Sequence, residues 1–83
     1  MDRTEIYNLI ATFFEEQFEI PKEKIKPDAN LFKDLDMDSI DALDMVGMLE
    51  AQIDIDVDVD ELTNIRTVRD VVDFVSSKIG IPA

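Results

Sequence analysis

The sequence predicts an all-α domain, a small four-helix bundle with three longer helices, one short third helix and a long first loop. Three observations lead there. Apolar residues recur at helical spacing in three separate stretches, residues with capping-box spacing stand at their starts, and no two segments offer complementary strands. With 83 residues the chain fits a single domain spanning 1–83. A chain of this size buries only about 60 to 65% of its unfolded surface, so its core must be compact and simple.

The first helix is expected over Thr4–Phe18, where Ile6, Leu9, Ile10 and Phe13 follow the helical period and Tyr7, Ala11, Phe14 and Phe18 form an adjoining stripe. Glu5, Asn8, Thr12, Glu15, Glu16 and Glu19 occupy the opposite face. Asp2 and Glu5 have capping-box spacing, and Ile20 precedes Pro21, where the α conformation is disfavoured. Residues 20–37 then lose the helical period and contain Pro21, Pro27, Asp28 and Asn30. Such a connection is too long for a small bundle unless it is anchored, and Leu31, Phe32 and Leu35 are the expected anchors.

The second helix should begin near Asp38 or Ser39 and run to about Gln52. A helical projection puts Ala42, Leu43, Met45, Val46, Leu49 and Ile53 on one broad side and Asp41 and Asp44 on the other. Ile40 and Met48 project among the carboxylates, which marks a mixed acidic and apolar contact surface. The strict alternation from Ile53 to Asp60 has the period of a strand, but Asp suits strands poorly and a lone strand leaves its backbone groups unpaired. A loop leading into a short helix is expected instead, with Asp58 and Glu61 as its cap and Leu62 and Ile65 turned inward. The last helix starts at a Thr67/Asp70 capping box, continues through Val68, Val71, Val72, Val75 and Ile79, and meets stop signals at Gly80 and Pro82.

Charge narrows the function classes. Twenty Asp and Glu against eight Lys and Arg give a formal net charge of −12. That balance opposes binding to nucleic acid or to an anionic membrane surface, both of which call for clustered cations. A hydrophobic content of 46% still specifies a folded domain. There is no basic and apolar leader pattern at the start and no run long enough to insert into a membrane, so the expected location is cytoplasmic.

The chain has no Cys and no His, and hence no thiolate nucleophile, imidazole base, disulfide or Cys/His metal site of its own. Ser39 lies beside Asp38 and Asp41, yet a serine nucleophile needs a nearby base, and the nearest Lys in sequence is Lys33 in the loop. Carboxylate pairs are abundant but nothing places them across a cleft. The runs Asp34-x-Asp36-x-Asp38 and Asp54-x-Asp56-x-Asp58 offer alternate oxygen ligands for calcium. An EF-hand would also need Gly and Glu at its sixth and twelfth positions, which hold Ser39 and Met45 in one case and Val59 and Ile65 in the other. No catalytic residue and no metal site are therefore assigned.

Asp38-Ser39 reads most simply as a helix cap followed by a tolerated serine. Its setting is unusual, because residues 34–61 hold eleven carboxylates and no basic residue. Together with the length, this setting makes the chain resemble an acyl carrier protein. The resemblance runs through the first helix, the loop, Leu31-Phe32-Lys33-Asp34-Leu35-Asp36-Met37-Asp38-Ser39-Ile40-Asp41, the second helix to Leu49-Glu50, and Ile65-Arg66-Thr67-Val68.

The resemblance implies a carrier without catalytic activity. Ser39 would accept 4′-phosphopantetheine from coenzyme A through a separate phosphopantetheinyl transferase, and acyl groups would travel as thioesters on that arm. It further implies a docking surface for acyltransferases, synthases or ligases with basic patches, made by the acidic positions Asp38, Asp41, Asp44 and Glu50 and the apolar positions Ile40 and Met48. Val46, Leu62 and Ile65 are candidates to line an acyl pocket, a role compatible with ordinary core packing. Gly47 departs from the family's commonly larger apolar residue and would open space or let backbone approach closely. Ile40 in place of the commoner Leu, and Asp58 where fatty-acid carriers often have Pro, leave the pathway open. Fatty acid biosynthesis is the first expectation, and a specialised carrier for lipopolysaccharide or lipid A, polyketide or aminoacyl and peptidyl chemistry the second. An acidic module that responds to divalent cations is the alternative from a different class. A monomer is expected.

Overall fold

The computed structural model describes residues 2–80. Three α-helices, α1 (Arg3–Gln17), α2 (Ser39–Ile53) and α3 (Val68–Ile79), are joined by connections that carry 3-10 turns at Lys22–Lys24 and Val59–Asn64. The described residues are all-helical apart from one isolated antiparallel bridge between Asn30 and Thr67. The short third helix of the sequence reading is a 3-10 segment. Asp58 does not cap it through its side chain; the backbone N–H of Glu61 donates instead to the Asp58 carbonyl at 2.9 Å.

Helix starts follow local chemistry. The Asp2 carboxylate accepts from the Glu5 N–H at 2.8 Å. Capping boxes with both reciprocal bonds open α2 (Asp38 and Asp41) and α3 (Thr67 and Asp70). Gly80 ends α3 in the left-handed region at φ 82°, where lacking a Cβ removes the penalty; Pro82 lies outside the described residues. Asp54 ends α2 in the same region, at φ 59°.

The core joins one face of each helix to the loops. Ile6, Ile10 and Phe14 of α1, Met45 and Leu49 of α2, and Val68, Val71, Val72 and Val75 of α3 are buried together with Ile20, Ile25, Leu31, Leu35, Met37, Ile55 and Ile65. In the Asp alternation, Ile55 is buried and Ile53 and Val57 are half-buried, while Asp54, Asp56 and Asp58 face outward. The period-two pattern thus serves an irregular segment that lies along the core with no partner strand.

The long first loop is held at three points. The Tyr7 hydroxyl donates to the Ile25 carbonyl at 3.2 Å. Residues 27–31 pair with the start of α3: Leu31 N–H donates to the Arg66 carbonyl (2.8 Å), Val68 N–H to the Ala29 carbonyl (3.1 Å) and Arg69 N–H to the Pro27 carbonyl (2.9 Å). Asn30 organises the next turn, since its side-chain oxygen accepts from the Phe32 and Lys33 N–H groups, both at 2.9 Å. Leu31 and Leu35 are buried anchors as expected, but Phe32 is not: it is 43% exposed. The turn directs Leu31 and Leu35, four residues apart, inward and leaves Phe32 between them facing out.

Replacing Asn30 with Ala removes the acceptor for two backbone donors and should cost about 1 kcal/mol, as loss of a helix cap does. For a domain of this size that is a fall of roughly 4–8 °C in Tm. Thermal melting followed by circular dichroism checks it, and an unchanged Tm would remove Asn30 from the account of the loop.

Candidate functional site

The approach to Ser39 is built by burial and by one unusual backbone angle. Leu35 and Met37 are buried on either side of Asp36, which takes φ 56°, a conformation Asp tolerates better than most residues that bear a Cβ. The Met37 N–H donates back to the Leu31 carbonyl at 2.9 Å, closing the turn onto the core. Asp38 then caps α2: its carboxylate accepts from the Asp41 N–H at 2.9 Å, and the Asp41 carboxylate accepts from the Asp38 N–H at 3.3 Å. Ser39 is consequently the first helical residue and is exposed.

An apolar cleft of about 300 Å³ opens beside it. Its walls come from the loop (Leu31, Phe32), from α2 (Ser39, Ala42, Leu43, Met45) and from the segment around the second 3-10 turn (Leu62, Thr63, Ile65). Of the residues expected to line a pocket, Leu62 and Ile65 do so. Val46 is buried but lies outside the lining. Phe32, Leu43 and Met45 complete the apolar wall and were not singled out for it. The signal available for Phe32 was its apolar character in the loop, which the anchor reading had absorbed, and for Leu43 its apolar character, which the core reading had absorbed.

The outward face of α2 differs from the projection in two residues. Ile40 is 68% exposed, and Leu43, expected inside, is 52% exposed. Met48, expected among the carboxylates, is half-buried and packs against the core. At about 100° per residue Leu43 and Met48 lie about equally far from the centre of the buried arc, so the pattern alone could not rank them. Neighbours decide: the core covers Met48, whereas Leu43 borders the open cleft.

The four carboxylates differ in freedom. Asp38 and Asp41 are engaged in the capping box, and Asp41 is half-buried. One Glu50 carboxylate oxygen accepts from the Val57 N–H at 3.4 Å. Asp44 is exposed. Among the described residues the ion pairs are Arg3–Asp73, Arg69–Asp28 and Lys78–Glu61, so no cation neutralises α2. Acidic side chains do not converge on a metal-holding group of three or more among the described residues. No described helix is long and apolar enough to cross a membrane.

Gly47 is exposed, and a Cβ built there would meet nothing within 4 Å. It neither opens the cleft nor admits a neighbouring backbone, so both expected explanations are overturned.

Residues 8–75 match the family model described as a phosphopantetheine attachment site. The chain is 39% identical over 80 residues to acyl carrier protein 2 of Ralstonia nicotianae, covering 96% of this chain and 99% of that protein. It is 29% identical over 80 residues to the acyl carrier protein of Thermosynechococcus vestitus, with the same coverage. A crystal structure of an acyl carrier protein from Thermotoga maritima matches the fold with a TM-score of 0.82 at 28% identity, covering 96% of this chain and 93% of that one. The acyl carrier protein of Enterococcus faecalis matches with a TM-score of 0.78 at 27% identity, covering 94% and 99%.

The open space around Gly47 makes its substitution a clean test of helix propensity. Gly47→Ala should stabilise the fold by roughly 0.5–1 kcal/mol, because Ala restricts the unfolded backbone and favours the helix. A chemical denaturation midpoint that moves down would show an unrecognised contact at this position.

Proposed function

The chain belongs to the acyl carrier protein family, whose prosthetic group is 4′-phosphopantetheine, and from that premise we propose that Ser39 is the attachment residue. The observation that carries this reading is an exposed hydroxyl at the capped start of α2, on the rim of an apolar cleft. The residues present fit the group. An exposed serine can enter the active site of a transferase, and the positive end of a 15-residue helix favours a phosphate at its first turn. Asp38 acts as a positioning residue: its cap fixes where the helix begins and so which way Ser39 points.

When attached, the arm supplies the thiol that the chain itself lacks and holds acyl groups as thioesters. This chain's own part is to present, shelter and steer. The cleft lies at the small end of the roughly 300–1,000 Å³ typical of ligand pockets, which suits a short or partly inserted acyl chain against Leu43, Met45, Leu62 and Ile65. The face bearing Asp38, Asp41, Asp44 and Glu50, with exposed Ile40, is read as the docking surface for transferases, synthases and ligases that carry basic patches. Met48, half-buried, could contribute only its outer edge, and Leu43 is the better apolar contact. Carboxylates speed encounter with a cationic partner and give modest affinity, as a shuttle between enzymes requires.

In this reading the protein is a non-catalytic, monomeric, cytoplasmic carrier, with 1–83 as one acyl carrier domain and the turn Val59–Asn64 as the short third helix of a four-helix bundle. Fatty acid biosynthesis is the proposed pathway, supported by the density of carboxylates around the serine.

Intact-mass measurement after incubation of the apo protein with coenzyme A and a phosphopantetheinyl transferase tests the assignment. One arm should add to the wild type and none to Ser39→Ala; addition to the variant would move the site elsewhere. The rate of loading should also depend on salt. Raising ionic strength from 0.01 to 0.15 M shortens the Debye length from about 30 to about 8 Å and should lower kcat/KM at least roughly tenfold. Loading kinetics across that range check it, and a flat profile would remove electrostatic steering from the mechanism.

A further inference from the structure

The apolar cleft beside Ser39 is not the end of the recess. A second cleft of about 400 Å³ adjoins it and shares the wall made by Phe32, Leu62, Thr63 and Ile65. Its remaining borders are polar: Asn30, Lys33 and Arg66. Lys33 is the last cation before α2 and Arg66 the first after it, with none between them in the sequence. The fold nevertheless brings both to one cavity. The Asn30–Thr67 bridge and the Leu31 N–H, which donates to the Arg66 carbonyl at 2.8 Å, hold the two segments side by side, and the Asn30 side chain fixes the turn that carries Lys33 by accepting its N–H at 2.9 Å.

Neither cation belongs to an ion pair among the described residues, where Arg3, Arg69 and Lys78 supply the positive partners. The carboxylates nearest to them in sequence are engaged elsewhere. Asp34 accepts from the Asn30 backbone N–H at 2.7 Å, Asp70 accepts from the backbone N–H groups of Arg66 and Thr67 at 3.0 and 3.1 Å, and Glu61 pairs with Lys78 at 3.0 Å. Other cationic clefts differ. The one bordered by Arg3 and Arg69 has both guanidinium groups paired, and the one bordered by Lys24 and Lys26 contains Glu23, Asp28 and Asp34 as well. Two unpaired cations on a cavity wall that holds no carboxylate are an exception in a chain of net charge −12.

We propose that Lys33 and Arg66 form a subsite for the far end of the cargo, which fits the carrier for acyl groups that terminate in a carboxylate. This rests on the carrier reading of Ser39 and names a class of acyl group that it would hold. A chain entering beside Ser39 lies against Leu43 and Met45 and then against the wall that the two clefts share. A methyl terminus can stop on that wall. A carboxylate cannot stay there without a partner, because an ionised group in apolar surroundings is costly, whereas one step further a guanidinium offers two parallel donors and an ammonium a third. Exposed cations pair weakly with a free anion. A tethered one is different, since a short flexible arm gives an effective concentration on the order of millimolar and a weak contact then suffices.

The test loads the apo protein from hexanedioyl coenzyme A with a phosphopantetheinyl transferase and follows the isotope-labelled free carboxyl by NMR against pH. The sign of the shift decides. Repulsion by the protein's net negative charge raises the pKa of a carboxyl left in solvent, and contact with two cations lowers it. On the wild type the group should titrate at least about half a pH unit below its value in the uncharged pantetheine thioester. Lys33→Gln with Arg66→Gln should abolish that depression, whereas Lys22→Gln with Lys24→Gln, which removes the same charge elsewhere in the loop, should keep it. All four side chains are exposed, so both double variants should melt close to wild type; the comparison of wild type with pantetheine needs neither. A wild-type carboxyl at or above the pantetheine value, or a depression that survives loss of Lys33 and Arg66, overturns the subsite and leaves the carrier reading standing. A wild type that accepts no arm overturns the carrier reading and this inference with it.

Discussion

The position of Ser39 depends on a short backbone pairing between the first loop and the start of α3. A helix leaves its first four N–H groups without intrahelical acceptors, and in α3 all four are accounted for. The Thr67 N–H goes to the Asp70 carboxylate, the Val68 and Arg69 N–H groups go to the loop carbonyls of Ala29 and Pro27, and the Asp70 N–H goes to the Thr67 hydroxyl. The relation is reciprocal. The loop satisfies two donors of α3, and α3 fixes the middle of a long connection that would otherwise have little to hold it. From that fixed point Asn30 turns the chain, Leu31, Leu35 and Met37 bury, and Asp38 starts α2 where Ser39 comes to the surface.

Much of this was legible in the sequence because it is local. Capping boxes are fixed by residues three apart, and both reciprocal boxes formed where Asp38/Asp41 and Thr67/Asp70 announced them. The buried faces of α1 and α3 follow a period that isolated helices already obey. What was illegible depended on tertiary neighbours. Leu43 and Met48 sit at equivalent edges of one helix, and only the open cleft beside one and the core beside the other set their exposure. Phe32 is similar, since its role in the cleft wall follows from a turn built by side-chain bonds of Asn30 that no periodicity reports. At Asp58 the spacing was right for a cap, but the following segment is a tight 3-10 turn closed by backbone bonds.

The charge distribution is consistent with a surface kept for others. Each of the three ion pairs among the described residues has an Arg or Lys from α1 or α3, and none involves a carboxylate of α2. Four of the eight cations lie in the first loop, at Lys22, Lys24, Lys26 and Lys33. Simple stability would favour pairing opposite charges across the surface. Self-repulsion along residues 34–61 is a destabilising feature that the fold tolerates, and a partner of opposite charge, as proposed, would relieve it.

Three demands meet on α2, and they account for its composition. Its inner face must hold the core, which Met45 and Leu49 do. One flank must wall the cleft with Ala42 and Leu43, and the outward face must remain open to solvent while keeping Ile40 and Leu43 uncovered. Leu43 belongs to both of the last two, because it is half outside and also lines the cleft. Whatever covers Leu43 from outside therefore touches the wall against which an acyl chain would lie. A helix optimised for stability alone would place polar residues at positions 40 and 43 and alanine at 47. The actual residues give up that stability along one connected strip that begins at Ser39, and this continuity would tie the proposed docking face to the proposed attachment site.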